Sequence, residues 1–315
     1  MLRPLGLGEM LDRAVTLCVR HFALFSLIFV VYAIPVAILQ YFGTADQAKM
    51  WGPLTDILRA QAAGKSIDPS ALSKAFSQSP VLNVWTGLWL VTLIFVSPLP
   101  TIALIDAAAN LYLGASITFE RAYRTALDRW LPVIGINLLY VACGTGLYIV
   151  VFFVVFIVAL GLFAIVKIAG AAAIAIAVIL GIVVSLGLCA AGLLVVLSVQ
   201  ISYFGCVVEK MPFITAFSRG ISRVFVGAAL RRSLLAGLAY VAILIGISLV
   251  SVVGVSLLFG LLKSNVAGTI YETIVRVATA AFTTAFLTIF YFDLRVRSEG
   301  LDLQVAAGGE ALPSS

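Results

Sequence analysis

LPVIGINLLYVACGTGLYIVVFFVVFIVALGLFAIVKIAGAAAIAIAVILGIVVSLGLCAAGLLVVLSVQISYFGCVV, residues 131–208, carries a single formal charge, Lys167. An apolar run past ~18 residues marks a membrane-spanning helix. This one has room for two, about Leu131 to Leu160 and Ala171 to Tyr203, meeting at a short turn beside the lysine. Working outward, the same alternation of long uncharged runs and short charged segments fills the chain. Of its 315 residues 63% are hydrophobic and 11% charged, with a mean hydropathy of +1.16, whereas soluble domains run near ~25% charged. That excludes a soluble globular protein, and it excludes intrinsic disorder, which needs low hydrophobicity and high charge.

Charge gaps define the remaining spans. Phe22 to Phe42 gives the first, and Val84 to Ile105 the second, with Pro98 and Pro100 predicting a kink or break. Ser233 to Leu261 gives the fifth. The sixth is marginal, because its uncharged stretch between Arg276 and Asp293 holds only 16 residues, so the helix must reach back past Arg276. The expected fold is an all-α integral membrane protein of six transmembrane helices arranged as three hairpins. It forms one polytopic domain over residues 1–305, with an outer segment at 43–83 read either as loop or as helices folded over the membrane, and a disordered cytoplasmic tail at 306–315. The first apolar run follows Glu9, Asp12, Arg13, Arg20 and His21 with no small-residue cleavage site behind it, so it is expected to be retained as a span.

Basic residues fix the orientation. With the N-terminus inside, thirteen of the 20 Lys and Arg fall on cytoplasmic segments and six on outer ones. Both termini are thus expected in the cytoplasm. The net charge of +6 is then loop charge that sets topology, and nucleic acid is not expected as a partner.

Spans one, three and five are each preceded by a short segment mixing charge with apolar residues at helical spacing: residues 7–15, 117–127 and 213–221. Glu9 with Arg13 and Glu120 with Arg124 are i,i+4 pairs in the favourable order. In the third copy Thr215 stands where the acid would be and Arg219 keeps the base. The reading is a threefold parallel repeat, in which a cytoplasmic interfacial amphipathic helix with arginines toward anionic headgroups introduces each hairpin. The alternative is ordinary basic stops with chance similarity.

The N-terminal stretch from Arg3 through Gly6, Glu9 and Asp12 to Ala14, and the C-terminal stretch from Tyr291 through Asp293, Arg295, Arg297 and Glu299 to Leu303, resemble the two ends of a bacterial family. It is the family named for the glycerophosphoryl diester phosphodiesterase membrane domain. Asn110 to Gly114 is similar as well. The resemblance implies a six-helix protein of the bacterial inner membrane and little mechanism, because the name comes from members fused to a soluble phosphodiesterase that has no counterpart in this sequence.

Candidate chemistry is sparse. His21 is the only histidine, no nucleotide-binding, zinc-protease or nucleophile-elbow motif occurs, and Cys18, Cys143, Cys189 and Cys206 lack ligand spacing. No cofactor, no metal and no catalytic residues are expected. Asp106 and Asn110, at i,i+4 near the inner end of span two, are read either as an intramembrane polar site or as the point where that helix leaves the bilayer. Glu272 and Arg276, i,i+4 on span six, are read either as a gate or substrate contact in a cavity or as a snorkelling pair at the outer surface. Small residues at Gly181, Ser185 and Cys189, and at Ala281 and Ala285, are expected at helix-packing faces. The leading expectation is a non-enzymatic module acting with membrane lipids or with a partner membrane or cytoplasmic protein. The rivals are a transporter or channel for a lipid or small solute, favoured by a cavity lined by the four polar residues, and an intramembrane enzyme.

Overall fold

A computed structural model describes residues 4–62, 87–88, 91–169, 171–225, 228–262 and 265–300. Among them every regular element is helical: α1 Leu7–Arg20, α2 Phe22–Ala62, α3 Pro98–Tyr112, α4 Phe119–Ala169, α5 Ala171–Val207, α6 Phe213–Phe225, α7 Ala228–Leu262 and α8 Asn265–Glu299. Six of these helical stretches are long and apolar enough to cross a membrane, within residues 22–42, 94–112, 119–146, 187–207, 229–258 and 266–299. The chain is thus a multi-pass membrane protein by length and composition. Any span over 84–90 lies largely outside the described residues, as does the tail at 306–315.

The sixth span does extend past Arg276, since α8 runs unbroken from Asn265 to Glu299. It is also the central helix, touching α1, α2, α3, α5, α6 and α7. Its inward face is aromatic. Phe286, Phe290, Tyr291 and Phe292 are buried with Phe25, Ile28, Ile102, Ile136 and Phe204 in one continuous core. Tyr240 stacks on Phe286 at 5.9 Å, Phe204 on Tyr291 at 5.0 Å and Tyr112 on Phe292 at 5.3 Å between ring centroids. Such pairs add ~0.5–1.5 kcal/mol beyond their buried area, which matters where lipid tails weaken the hydrophobic drive between helices.

Small residues set the closest approaches, though only partly at the expected positions. Ala281 and Ala285 are fully buried, whereas Cys189 is exposed. One tight contact lies between α5 and α6. A Cβ on Gly220 would stand 2.6 Å from the Ser198 carbonyl oxygen, and one on Gly205 would stand 3.3 Å from the Ala216 Cβ.

In the outer segment, residues 43–62 are helical and continue α2, giving 41 residues in all, about 62 Å at ~1.5 Å per residue. Ala45, Gln47, Ala48, Lys49 and Met50 are sound helix formers; charge there ends the hydrocarbon span without ending the backbone ladder. One expectation is corrected: the second amphipathic segment is not a separate helix, because Phe119–Ala169 is continuous. The first segment is separated at His21, whose φ of −118° and ψ of 21° leave the helical region. No equivalent break interrupts Asp128 to Leu131, and Pro132 is accommodated inside α4.

The kink expected at Ser97-Pro98-Leu99-Pro100 is prepared one turn earlier. Thr92–Val96 forms a single π-helical turn, and Pro98 then starts α3. The widened turn frees carbonyls that need partners at membrane depth. Trp130 Nε1–H donates to the Phe95 carbonyl at 2.7 Å, and Asn137 Nδ2 to that of Ile94 at 3.5 Å. The Tyr203 hydroxyl in turn donates to Asn137 Oδ1.

Candidate functional site

The four intramembrane polar candidates do not meet. Asn110 Nδ2 donates to the Asp106 carbonyl at 2.8 Å and to its Oδ1 at 3.0 Å, as a local i,i+4 contact. Asp106 Oδ2 is buried near the Thr125 hydroxyl without a hydrogen bond of acceptable geometry. The pair lies toward the same end of the bundle as Arg13, Arg121 and Lys210, since Arg13 reaches the Tyr112 hydroxyl and Arg121 and Lys210 act on Asp106.

Glu272 and Arg276 sit toward the opposite end. Arg276 bonds Glu272 at 2.8 Å, and both side chains are about one-third exposed, 35% and 33%. A third member was invisible in the sequence pattern: Gln40 of α2 donates through Nε2 to both Glu272 oxygens at 2.9 Å, while its Oε1 accepts from Arg276 at 2.7 Å. From Phe22 up to Gln40 and from Asp293 back to Arg276 the helical rise is about 27 and 26 Å at ~1.5 Å per residue. Two helices therefore place the triad independently near the far boundary of a ~30 Å hydrocarbon core. Beside it a groove of about 330 Å³ runs between α7 and α8, lined by Ser248, Ser251, Glu272, Arg276, Thr279 and Thr283 together with Phe29, Ile247, Val275 and Ala280.

The heavier electrostatics lie at the basic end, among residues that pattern reading passed over. Arg223 of α6 makes a two-pronged pair with Glu209 at 2.5 and 3.0 Å and bonds Glu299 through Nε at 2.9 Å. The side chains of Arg223 and Glu209 are only 5% and 8% exposed. Arg295 pairs with Glu299 at 2.9 Å and lies 4.0 Å from Glu209, and the Tyr291 hydroxyl donates to Glu209 Oε1. Arg223 and Arg295 both lie over the Tyr291 ring, at 5.7 and 5.8 Å. Burial alone would raise the Glu209 carboxyl; hydrogen bonds from Arg223 and Tyr291 and the charges of Arg223 and Arg295 outweigh it and hold the group below its ordinary value. Burial likewise lowers the Arg223 guanidinium, but Glu209 more than reverses this and the net shift is upward. A second groove, about 340 Å³, opens here along Arg219, Ser222, Arg223, Ala229, Ser298 and Glu299.

Next to this network the chain's two ends are tied together. Asp293, fully buried, accepts the Leu5 N–H at 2.8 Å and pairs with Arg297 at 3.0 Å and Arg232 at 3.3 Å. Arg297 and Arg232 also donate to the Leu5 carbonyl, at 2.9 and 2.6 Å. The two terminal motifs singled out in the sequence are thus one structural unit. Beside those motifs, the i,i+4 pair Asp293/Arg297 was its legible signal.

Among the amphipathic-segment residues, Glu9 and Arg13 pair at 2.8 Å. Glu120 and Arg124 are 3.5 Å apart but 85% and 77% exposed, a geometry that contributes little. Thr215 is exposed, and Arg219 lies 3.8 Å from Glu209.

No protein-family model matches this chain, and neither does any curated protein or solved structure.

Proposed function

We propose that this chain is a non-enzymatic multi-pass membrane module that acts with lipid, or with a partner protein, through its two polar ends. The observation that carries the reading is the packing next to the basic end. Phe25, Ile28, Phe286 and Phe290, within about 11 Å of that end by helical rise, are fully buried together with Ile102 and Ile136, and the groove beside Glu272 and Arg276 is separate from the one beside Arg223. A transporter needs a polar route joining the ends, and among the described residues packed apolar side chains stand beside the basic one.

The basic end faces the cytoplasm in this reading, with both termini on that side, and the three hairpins enter the membrane from it. What supports an interfacial position is a set of exposed apolar side chains beside the arginines: Val15 and Val19 on α1, Leu127 and Leu131 on α4, Ile214 and Phe225 on α6. Arginines flanked by such residues are suited to an anionic headgroup layer, and the groove beside Arg219 and Arg223 is where a phosphate or an acidic partner segment fits. By its terminal motifs the chain would sit in a bacterial inner membrane, as a relative of the phosphodiesterase membrane domains.

Reconstitution of the full chain in liposomes tests the reading. A fluorescent phospholipid should not flip faster than in empty vesicles, and trapped small solutes should stay trapped; protein-dependent flux of either overturns it. In cells, Ser116→Cys, in the exposed turn before α4, should react with an impermeant thiol reagent only after permeabilisation.

A further inference from the structure

The groove between α7 and α8 has an order that matches one ligand class. At its rim stands an acid and a base, Glu272 and Arg276. Beside them on α7 stand Ser248 and Ser251, level with the rim by the antiparallel register of Val250 with Tyr271 and Tyr240 with Phe286; deeper come the hydroxyls of Thr279 and Thr283, between walls of Phe29, Ile247, Val275 and Ala280. From Arg276 to Thr283 the rise is about 10 Å at ~1.5 Å per residue, so the hydroxyls begin at the boundary and end inside the hydrocarbon. A phospholipid presents the same sequence of chemistry along the same axis: charged headgroup, ester oxygens, acyl chains.

Thr283 adds an independent observation. Its Oγ1 is buried near the Tyr240 hydroxyl yet has no hydrogen-bond partner of acceptable geometry. Thr279, one turn nearer the rim, satisfies itself on the Val275 carbonyl at 2.7 Å. An unsatisfied buried hydroxyl costs about 1–3 kcal/mol, and one at the foot of an open groove is placed to take a ligand oxygen.

We propose that this groove binds a phospholipid whose headgroup carries a primary ammonium, with the phosphate on Arg276, the ammonium on Glu272 and an ester oxygen on Thr283. The proposal deepens the lipid-engaging reading above and rests on it. A zwitterion brings one opposite charge to each member of the pair, so opening the Arg276–Glu272 contact leaves neither side chain uncompensated at membrane depth. An anionic headgroup without an amine would satisfy Arg276 but meet the Glu272 carboxylate as a like charge. A quaternary ammonium offers Glu272 no N–H to accept. Gln40, donating to one member and accepting from the other, holds both side chains at the rim. About 330 Å³ is at the small end of ligand sites, enough for a headgroup and its glycerol, with acyl chains lying on the lipid-facing sides of the helices.

The test uses the full-length protein, delipidated in detergent and offered phosphatidylethanolamine, phosphatidylglycerol or phosphatidylcholine, with retained lipid read by native mass spectrometry. Wild type should retain phosphatidylethanolamine at least about tenfold better than either other lipid, the scale of one hydrogen bond to a charged group. Glu272→Gln should abolish that preference while keeping the phosphatidylglycerol it holds. Arg276→Gln should lose both, and Thr283→Val should weaken phosphatidylethanolamine several-fold. Circular dichroism checks that each variant is folded; if Arg276→Gln is not, wild-type preference and Thr283→Val still decide. Equal retention of the three lipids by wild type, or unchanged preference in Glu272→Gln, overturns the proposal. Flux in the liposome assay with the amine preference intact would sink the module reading and leave this site standing; no flux and no preference would do the reverse.

Discussion

Replacing Asp293 by Ala should release the N-terminal strap. The carboxylate is 0% exposed, holds Arg232 and Arg297, and caps the Leu5 N–H at 2.8 Å. Removing one partner of a buried pair costs ~3–5 kcal/mol because the other charge is left uncompensated. Here the figure must come down, since Arg297 is 41% exposed and can turn to water, and both arginines keep the Leu5 carbonyl as acceptor. The orphaned Leu5 N–H restores part of the loss, as a hydrogen bond to a charged group is worth ~1.5–3 kcal/mol. The balance is about 3 kcal/mol for Asp293→Ala. Asp293→Asn keeps an oxygen for Leu5 but offers the arginines an amide instead of a charge, and should lose about 2 kcal/mol on the same reasoning. Reversible denaturant unfolding in mixed micelles gives the energies. Thiol labelling of Leu5→Cys, a buried position, reports the strap: the cysteine should be protected in the parent and react quickly beside Asp293→Ala. A loss under about 1 kcal/mol with Leu5→Cys still protected would show that the ion pairs merely decorate a strap held by Met10, Ala14 and Cys18, and the reasoning would fail.

Three further outcomes follow from the same packing. Because Glu209 is held below its ordinary value, its stabilising contribution is present above the unfolded glutamate pKa near ~4.3 and disappears as pH falls through the folded one. The melting-temperature gap between wild type and Glu209→Gln should therefore be full at pH 6 and shrink as the pH falls below the unfolded glutamate value of about 4.3; a constant gap refutes the assignment. Gly220→Ala should cost about 1–3 kcal/mol, since its Cβ would meet the Ser198 carbonyl and Ser202 rather than a flexible chain end, and a neutral substitution measured by unfolding would mean that α5 and α6 separate freely. Asn137→Leu should destabilise by about 1–3 kcal/mol by stranding the Ile94 carbonyl and the Tyr203 hydroxyl, and amide hydrogen exchange should rise across the π-helical turn at Thr92–Val96; unchanged exchange counts against Asn137 as its support.

The six apolar helices were legible because the membrane imposes a crude rule on sequence: no net charge for about 30 Å. Helix ends were not legible by that rule. Lys49 and Asp46 mark where hydrocarbon stops, yet α2 continues to Ala62, and the charged start of α4 belongs to the same ladder as its apolar body. Only a backbone break, such as that at His21, separates an amphipathic segment from its span. The Glu272/Arg276 pair was readable from i,i+4 spacing alone, but Gln40 was not, because its approach depends on α2 packing against α8. The buried network at the basic end was hidden for the same reason: Glu209 and Arg223 are 14 residues apart on different segments and Glu299 is 76 residues beyond Arg223, and each looks like ordinary loop charge until the bundle closes.

The distribution of charge along α8 explains why this helix stands at the centre. Arg276, Arg295 and Arg297 each have a carboxylate four residues away in Glu272, Glu299 and Asp293, so α8 brings its own compensation to both boundaries and can be surrounded on nearly every side. α6 and α7 cannot: Arg223 needs Glu209 and Glu299, and Arg232 needs Asp293. Their basic ends therefore dock onto α8, and the strap at Leu5 docks onto the same carboxylate. Between the boundaries α8 offers threonines that largely bond their own backbone and aromatics that stack. A charged group of a ligand or partner thus has purchase at the ends, where displacing one ion pair at the basic boundary would loosen several helices at once, while the pair beside Gln40 can open toward lipid without disturbing the network about 26 Å away by helical rise.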